Sequence, residues 1–425
     1  MDPDLAPEQA PPIGFAPPYI DEATIAAVER VLRSGWITTG PETASFEREL
    51  ASFIGCTQVV CGGSWTGLAG VVLDWFGVGP GDEVILPAYT YCATANVVLH
   101  RGAHPVLVDL PPAADRDGLN ITWDMVAPLL TSRTKVVMPV DIGGWPILNG
   151  DWKGALEVWS RESGFTSDHP VQSLLGRPLL LADAAHALGA QIDGQQAGSQ
   201  ADISIFSFHA VKNLTTAEGG AAALSLPASF HAEEVQRTLK SLCLHGQSKD
   251  AAAKFKSSGT GGWRYDVTRP GYKCNMTDIQ AAMGRVALER YPEDLAHRNA
   301  LADAYDQGLA EIQHVASPVR SDDRRRSADH LYVVQLSAHL CSHRDAIMGH
   351  LGTAGIATNV HFPPLPTLSA YRERGYDPAD TPESVDAYAG AISLPIHRQM
   401  STRDVQRVCR TLAQAISTVI STGTK

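Results

Sequence analysis

Between residues 56 and 190 the chain alternates short apolar runs with helix-like segments, and few folds accommodate that pattern. The runs TQVVC, DEVILP, HPVLVDL, TKVVMPVDI and PLLLADA are apolar almost throughout rather than at every second position. Strands of that kind are buried on both faces. With helices between them, they predict a mostly parallel sheet covered on both sides, the α/β class. Helical periodicity marks 20–33 (IDEATIAAVERVLR), 43–54 (TASFERELASFI), the segment opened by GGSWTG, and TYCATANVVLHRGA.

The 425 residues exceed one ordinary core, so one large and one smaller domain are expected. A long helical pattern begins at Asp278, is expected to break near Pro292, and links the two. From about Ser327 the texture changes to DHLYVVQLS, RDAIMGHLGTAGI, ATNVHF, ISLP and RDVQRVCRTLAQAI, a small α+β unit. The expected division is an N-terminal segment with helices over 1–55, a large domain over 56–290 and a small domain over 291–425. Residues 146–178 are longer and more polar than a simple crossover. They read as one helix plus a surface excursion.

Several function classes drop out. The net charge is −12 and the densest basic stretch, Arg324-Arg325-Arg326, follows Asp322 and Asp323, so no nucleic-acid partner is expected. No apolar run is long enough to cross a bilayer, and the Pro-rich start has no secretory pattern. Seven scattered cysteines without a C-x-x-C pair point to a reduced, cytoplasmic protein. His100 and His104 have helical metal-ligand spacing, but Gly102 and Pro105 break that helix, so no metal is expected. Gly62-x-Ser64-x-Thr66 lacks the last glycine of a hydrolase elbow.

Three features remain. The turn Ser64-Trp65-Thr66 after a glycine pair opens a helix, where free N–H groups hold a phosphate or an ordinary N-cap suffices. Asp183 ends the apolar run LLLAD, placed either to face a ligand crevice or to cap a following helix, with His186 three residues on. Lys212 lies about thirty residues later, after Ser207 and His209, beyond the strand-like run ISIFSF. An amine for a Schiff base, an acid for a ring nitrogen and a phosphate cradle are together what pyridoxal phosphate requires.

At these residues the sequence resembles the DegT/DnrJ/EryC1/StrS family of pyridoxal-phosphate-dependent sugar aminotransferases. The resemblance runs through SGWITTGP, GPGDEVILPAYTYCATANVVLHRGAHPVLVDL, DAAHALGA, SFHAVKNLTTAEGG, GYKCNMTDIQAAMG, VHFPPL and ISLP, in the family's order. It implies a fold-type I transferase: a large domain with a mostly parallel seven-stranded sheet, plus a smaller C-terminal α+β domain. It also implies the cofactor, as pyridoxal or pyridoxamine phosphate. Lys212 then matches the Schiff-base lysine and Asp183 the acid on the pyridinium nitrogen. His186 stands beside the ring hydroxyl, and Tyr91 stacks on the ring. Ser64, Trp65, Thr66 and Ser207 surround the phosphate. Asn275 reaches the phosphate of a partner subunit, making a homodimer with shared sites, while Thr39 and His361 line the sugar side.

The implied reaction moves an amino group from L-glutamate or L-glutamine to a nucleotide-linked 4-keto-6-deoxy sugar. A keto-cyclitol acceptor and a non-catalytic protein of the same fold are the alternatives. A dehydratase is disfavoured because related dehydratases carry His in place of Lys212. The chain departs from the family pattern at the bulky Trp65, at the long 146–178 stretch, and at GYKCNM in place of GYNYRM, which leaves Lys273 or Asn275 to face the partner's cofactor.

Overall fold

A computed structural model describes residues 11–147, 150–248 and 265–423. Residues 1–10 of the Pro-rich lead-in lie outside that range. Helix α1 spans Glu22–Ser34, with Asp21 capping the N–H of Thr24 and Gly35 closing it in the left-handed region. Helix α2 spans Pro41–Ile54 and starts on a proline, whose missing N–H is unneeded there.

The alternating segments then follow as β1 (Gln58–Gly62), α3 (Trp65–Trp75), β2 (Glu83–Pro87), α4 (Cys92–His100), β3 (His104–Val108) and β4 (Thr134–Val137). Next come α5 (Trp152–Ser163), α6 (Pro170–Leu175), β5 (Leu179–Asp183), β6 (Ile203–Ser207) and β7 (Gly220–Leu224). These seven strands form one sheet in the order β1-β7-β6-β5-β4-β2-β3. The pairings among β3, β2, β4, β5 and β6 are parallel, and β7 alone runs against its neighbours β6 and β1. The expected mostly parallel, seven-stranded sheet is present.

Both faces are covered, as the apolar strands require. Val84, Leu86, Leu179, Leu181, Ile203 and Ile205 join the core beneath α3 and α4. Their alternates Ile85, Leu180 and Ala182 join a second core with Trp152 and Leu156.

The long helix α8 (Asp278–Leu309), preceded by α7 (Ala232–Leu242), opens with a capping box between Thr277 and Gln280. It is continuous through Pro292, so the expected break is absent. Proline removes only one ladder bond, and α8 is held along both halves. Ala281, Ala287, Leu288 and Tyr291 pack in one core, and Leu301, Ala302, Tyr305 and Leu309 in another. The small unit pairs β8 (Tyr332–Leu336) with β9 (Ala391–Leu394), packed by α9 (Arg344–Thr353) and α10 (Thr402–Gly423).

The 146–178 stretch differs from its expected form. It holds two helices, α5 and α6, and they are not mere decoration. Trp152 and Leu156 fill the second core, and the buried Gln172 donates Nε2–H to the Phe76 carbonyl at 2.8 Å.

A buried ion pair sets the register of the two central strands. Arg177 and Asp202 are 2% and 0% exposed in their side chains, and the guanidinium donates to both carboxylate oxygens at 2.6 and 2.9 Å. Asp202 also accepts the Leu180 N–H at 2.9 Å. The pair locks the start of β5 to the start of β6, and the far ends of these strands carry Asp183 and Ser207. Removing one partner strands a buried charge, so Asp202→Ala should cost about 3–5 kcal/mol of stability. Urea unfolding of the two proteins checks this, and a loss below about 1 kcal/mol would contradict the assigned role.

Candidate active site

Asp183 and Ser207 end adjacent parallel strands, at the carboxyl edge where α/β sheets open a crevice. A cavity of about 610 Å³ lies there. It gathers Ser64, Trp65, Thr66, Tyr91, Asp183, His186, Ser207, Lys212 and His361, all expected at the site.

Asp183 is 5% exposed. It does not cap a helix, because residues 184–190 form turns. Its Oδ2 accepts the Thr94 hydroxyl at 2.9 Å and its Oδ1 the Ala185 N–H at 3.2 Å, and Thr90 lies 3.0 Å from Thr94. Burial pushes its carboxyl up to about 6, against the pull of these two hydrogen bonds and of the Lys212 charge. Behind it, burial lifts Asp141 to about 7, with the Ile147 N–H opposing and the Asp183 charge adding to the rise.

Lys212 sits in a tight loop. Its N–H bonds the His209 carbonyl at 2.9 Å, and Phe208 pairs with Gly219 and Thr216 across the loop mouth. Burial lowers its amine to about 8, and the Asp183 charge resists that drop.

His186 accepts the Gly143 N–H at Nδ1 (3.2 Å), so in the neutral ring Nε2 carries the proton. Burial, then the Lys212 and His361 charges, hold it well below the ordinary histidine range. His361 contacts Ser393 Oγ through Nδ1 at 2.8 Å, and its ring stacks on Phe15 at 5.5 Å. Burial brings it down to about 4. Tyr91 precedes α4, is 58% exposed, and its ring lies 5.5 Å from that of Phe362.

Of the two readings of GGSWTG, the N-cap is Ser64, whose Oγ accepts the Gly67 N–H at 3.0 Å. The N–H groups of Trp65 and Thr66 remain without an intrahelical partner at the positive end of α3. The Trp65 indole is buried in the core beneath the helix and leaves the turn open.

Thr39 and Asn275 do not line this cavity. Asn275 donates Nδ2–H to Thr39 Oγ1 at 2.7 Å and its Oδ1 accepts from Lys273, and Thr39 in turn reaches the Met276 carbonyl. No described residue of 146–178 lines it either.

The residues missed in the sequence are Thr94, Asn213, His330, Phe15 and Phe362. Thr94 follows Tyr91 by three, which places both at the start of α4, and Asn213 adjoins Lys212. His330 and Phe15 arrive from distant segments and carry no local signal.

An amine lowered toward neutrality, a buried acid and two open N–H groups at a helix start suit a phosphorylated pyridine aldehyde. Fold and site define a pyridoxal-phosphate-dependent transferase of fold-type I. The chain belongs to the DegT/DnrJ/EryC1/StrS aminotransferase family, whose model matches residues 18–152 and 177–413. The spore coat polysaccharide biosynthesis protein SpsC of Bacillus subtilis is 35% identical over 397 residues, 93% of this chain and 94% of SpsC. The structure of Spr1654 from Streptococcus pneumoniae, named as a sugar aminotransferase, superposes in its pyridoxamine phosphate form with a TM-score of 0.91 and 38% identity. That match covers 97% of this chain and 100% of Spr1654. The pyridoxal phosphate form of Spr1654 gives 0.88 and 39%, covering 96% and 99%. DesI, solved in the presence of its TDP-sugar product, gives 0.77 and 27%, covering 95% and 93%. This is a sugar aminotransferase family, and the chain is a pyridoxal-phosphate-dependent aminotransferase.

Burial of Lys212 has a direct readout. In cofactor-free protein, competitive acylation with peptide mapping should show its amine half-neutralised near pH 8, while exposed lysines titrate above about 10. A Lys212 profile that follows the exposed lysines would refute the buried environment.

Proposed function

We propose that this protein transfers an amino group from L-glutamate or L-glutamine to a keto sugar, a nucleotide-linked 4-keto-6-deoxy hexose. The observation that carries the reading is one cavity holding Lys212, lowered to about 8, Asp183 and the open start of α3. The sugar class is supported by the likeness to SpsC, Spr1654 and DesI.

Bound pyridoxal phosphate supplies the carbonyl that takes up the amine and the electron sink that stabilises a carbanion. The Trp65 and Thr66 N–H groups hold the phosphate, with the Ser207 hydroxyl beside them. Asp183 supplies the negative charge that keeps a ring nitrogen protonated, and Thr94 and Ala185 orient its oxygens. His186 offers Nε2–H to the ring hydroxyl, and Tyr91 covers the ring face. The Lys212 amine is neutral in a useful fraction near pH 8. Its Nζ would take the α-proton of the donor, hold it and release it again, and would do the reverse for the sugar.

We further propose a homodimer in which Asn275, beside Thr39 and outside its own cavity, serves the partner's phosphate. The division into 1–55, 56–290 and 291–425 belongs to the same reading. So does a cytoplasmic location, which the seven free thiols support. Among the described residues no helix is long and apolar enough to cross a membrane.

Lys212→Ala should abolish transamination while the cofactor still binds, and borohydride should fix the cofactor to the residue 212 peptide in the wild type only. Asp183→Ala should lower turnover by about 10²–10³-fold, because preorganised charge is lost. Ser207→Ala should lower it by no more than about ten-fold, the worth of one hydrogen bond. Equal losses in the two would contradict the ranking.

Sharing between subunits has its own test. Lys212→Ala and Asn275→Asp protomers, each impaired alone, should regain activity when mixed and allowed to exchange. Such heterodimers contain one site with both residues intact. No recovery in verified heterodimers would place Asn275 outside the partner's site.

A further inference from the structure

His330 lines the active-site cavity, and nothing said so far gives it a role. Its hydrogen bonds determine which nitrogen carries its proton. Asn213, the residue after Lys212, places Nδ2 at 2.9 Å from the Ala328 carbonyl. A carbonyl only accepts, so that contact fixes the amide, and its Oδ1 is the atom 2.9 Å from His330 Nδ1. An amide oxygen also only accepts. His330 Nδ1 is therefore the N–H, and in the neutral ring Nε2 is a bare lone pair. The neutral state is the one the surroundings favour. Burial, and then the charges of His186, Lys212, Arg298 and His361, keep the ring well below the ordinary histidine range.

The neighbouring ring has the opposite assignment. His186 receives the Gly143 N–H at Nδ1, so its Nε2 is a donor. The two rings are 4.4 Å apart. The backbone coordinates both, because Gly143 O accepts the N–H groups of His330 and Leu331. Both residues line the cavity, and their rings, tilted by 44°, offer it a donor and an acceptor. A lone pair suits a hydroxyl group and repels a carboxylate. Of the two substrates the enzyme alternates between, the amino-acid donor is rich in carboxylate and the keto sugar in hydroxyls.

We propose that His330, held by Asn213 as its Nδ1–H tautomer, is a specificity-determining residue whose Nε2 accepts a hydroxyl hydrogen bond from the keto-sugar substrate. This rests on the keto-sugar reading above.

The two half-reactions of the holoenzyme, followed separately by cofactor absorbance, provide the test. The probes are L-glutamate or L-glutamine for the first and a nucleotide-linked 4-keto-6-deoxy hexose for the second. His330→Phe keeps a ring and deletes the lone pair. It should lower kcat/KM for the sugar half-reaction by about ten-fold more than for the amino-acid half-reaction. Asn213→Asp keeps the acceptor for Nδ1 but adds a negative charge, which favours the imidazolium and turns Nε2 into a donor. That variant should show a new acid limb near neutral pH in the sugar half-reaction alone. A merely structural role would not create such a limb.

If wild type reacts with the amino acid but with no keto sugar, the functional reading fails and this assignment with it. If wild type uses the sugar while both variants slow the two halves alike and Asn213→Asp gains no acid limb, only the His330 assignment is overturned.

Discussion

Two ionisable side chains buried in one cavity are the constraint around which this structure is arranged. Desolvation disfavours the charge on each, raising Asp183 to about 6 and lowering Lys212 to about 8. The consequence for the fold has a definite sign. Between pH 3.8 and about 6 the folded protein binds the Asp183 proton more tightly than the unfolded chain does, so the contribution of Asp183 to stability falls as pH rises through that window. Between about 8 and 10.5 the unfolded chain binds the Lys212 proton more tightly, so stability rises with pH there. At neutral pH both groups are charged, so each carries its full desolvation cost there. A ligand carrying complementary charge recovers that cost on binding, which is how a site of this kind gains affinity from the fold.

The polar groups around that pair are positioned by backbone. Asp141, Asn120 and Gly143 organise the turn after β4: Asn120 accepts the Ile142 N–H at 3.3 Å and Asp141 the Ile147 N–H at 2.9 Å. The turn then supplies the N–H that fixes the His186 tautomer and the carbonyl that receives His330 and Leu331 from the small unit. One short turn therefore couples the sheet edge to the chain returning from α8. The buried Arg177–Asp202 pair acts at the opposite end of the same strands, holding the register that brings Asp183 and Ser207 side by side.

Much of this was legible in the sequence because it is local. Period and composition marked β2, β3 and β5, and the glycine turn marked the start of α3, since each depends on neighbours along the chain. Lys212 and Asp183 stood out through their place at the ends of such runs. The errors have physical causes. Pro292 looked like a break because a proline's local cost is visible, whereas the packing of α8 on two cores is not. The 146–178 stretch looked superficial because its polar residues outnumber the few, such as Trp152, Leu156 and Gln172, that anchor it. Thr94, Asn213 and His330 went unseen because their meaning lies in contacts with Asp183, Ala328 and each other, across long separations.

Trp65 shows the same division between side chain and backbone. A large residue in a phosphate-type turn seems out of place if the turn is imagined as a ring of side chains. Here the helix start offers backbone N–H groups without an intrahelical partner, and the indole is buried in the core. What the turn cannot tolerate is bulk on the strands beneath it. A Cβ at Gly220 would lie 2.8 Å from the Trp65 nitrogen and 2.8 Å from the Phe206 carbonyl oxygen. One at Gly62, its partner in register, would meet Leu68 at 2.7 Å. The paired glycines let the helix start sit directly on the sheet, so the size limit falls on residues 62 and 220 and leaves residue 65 free to be large.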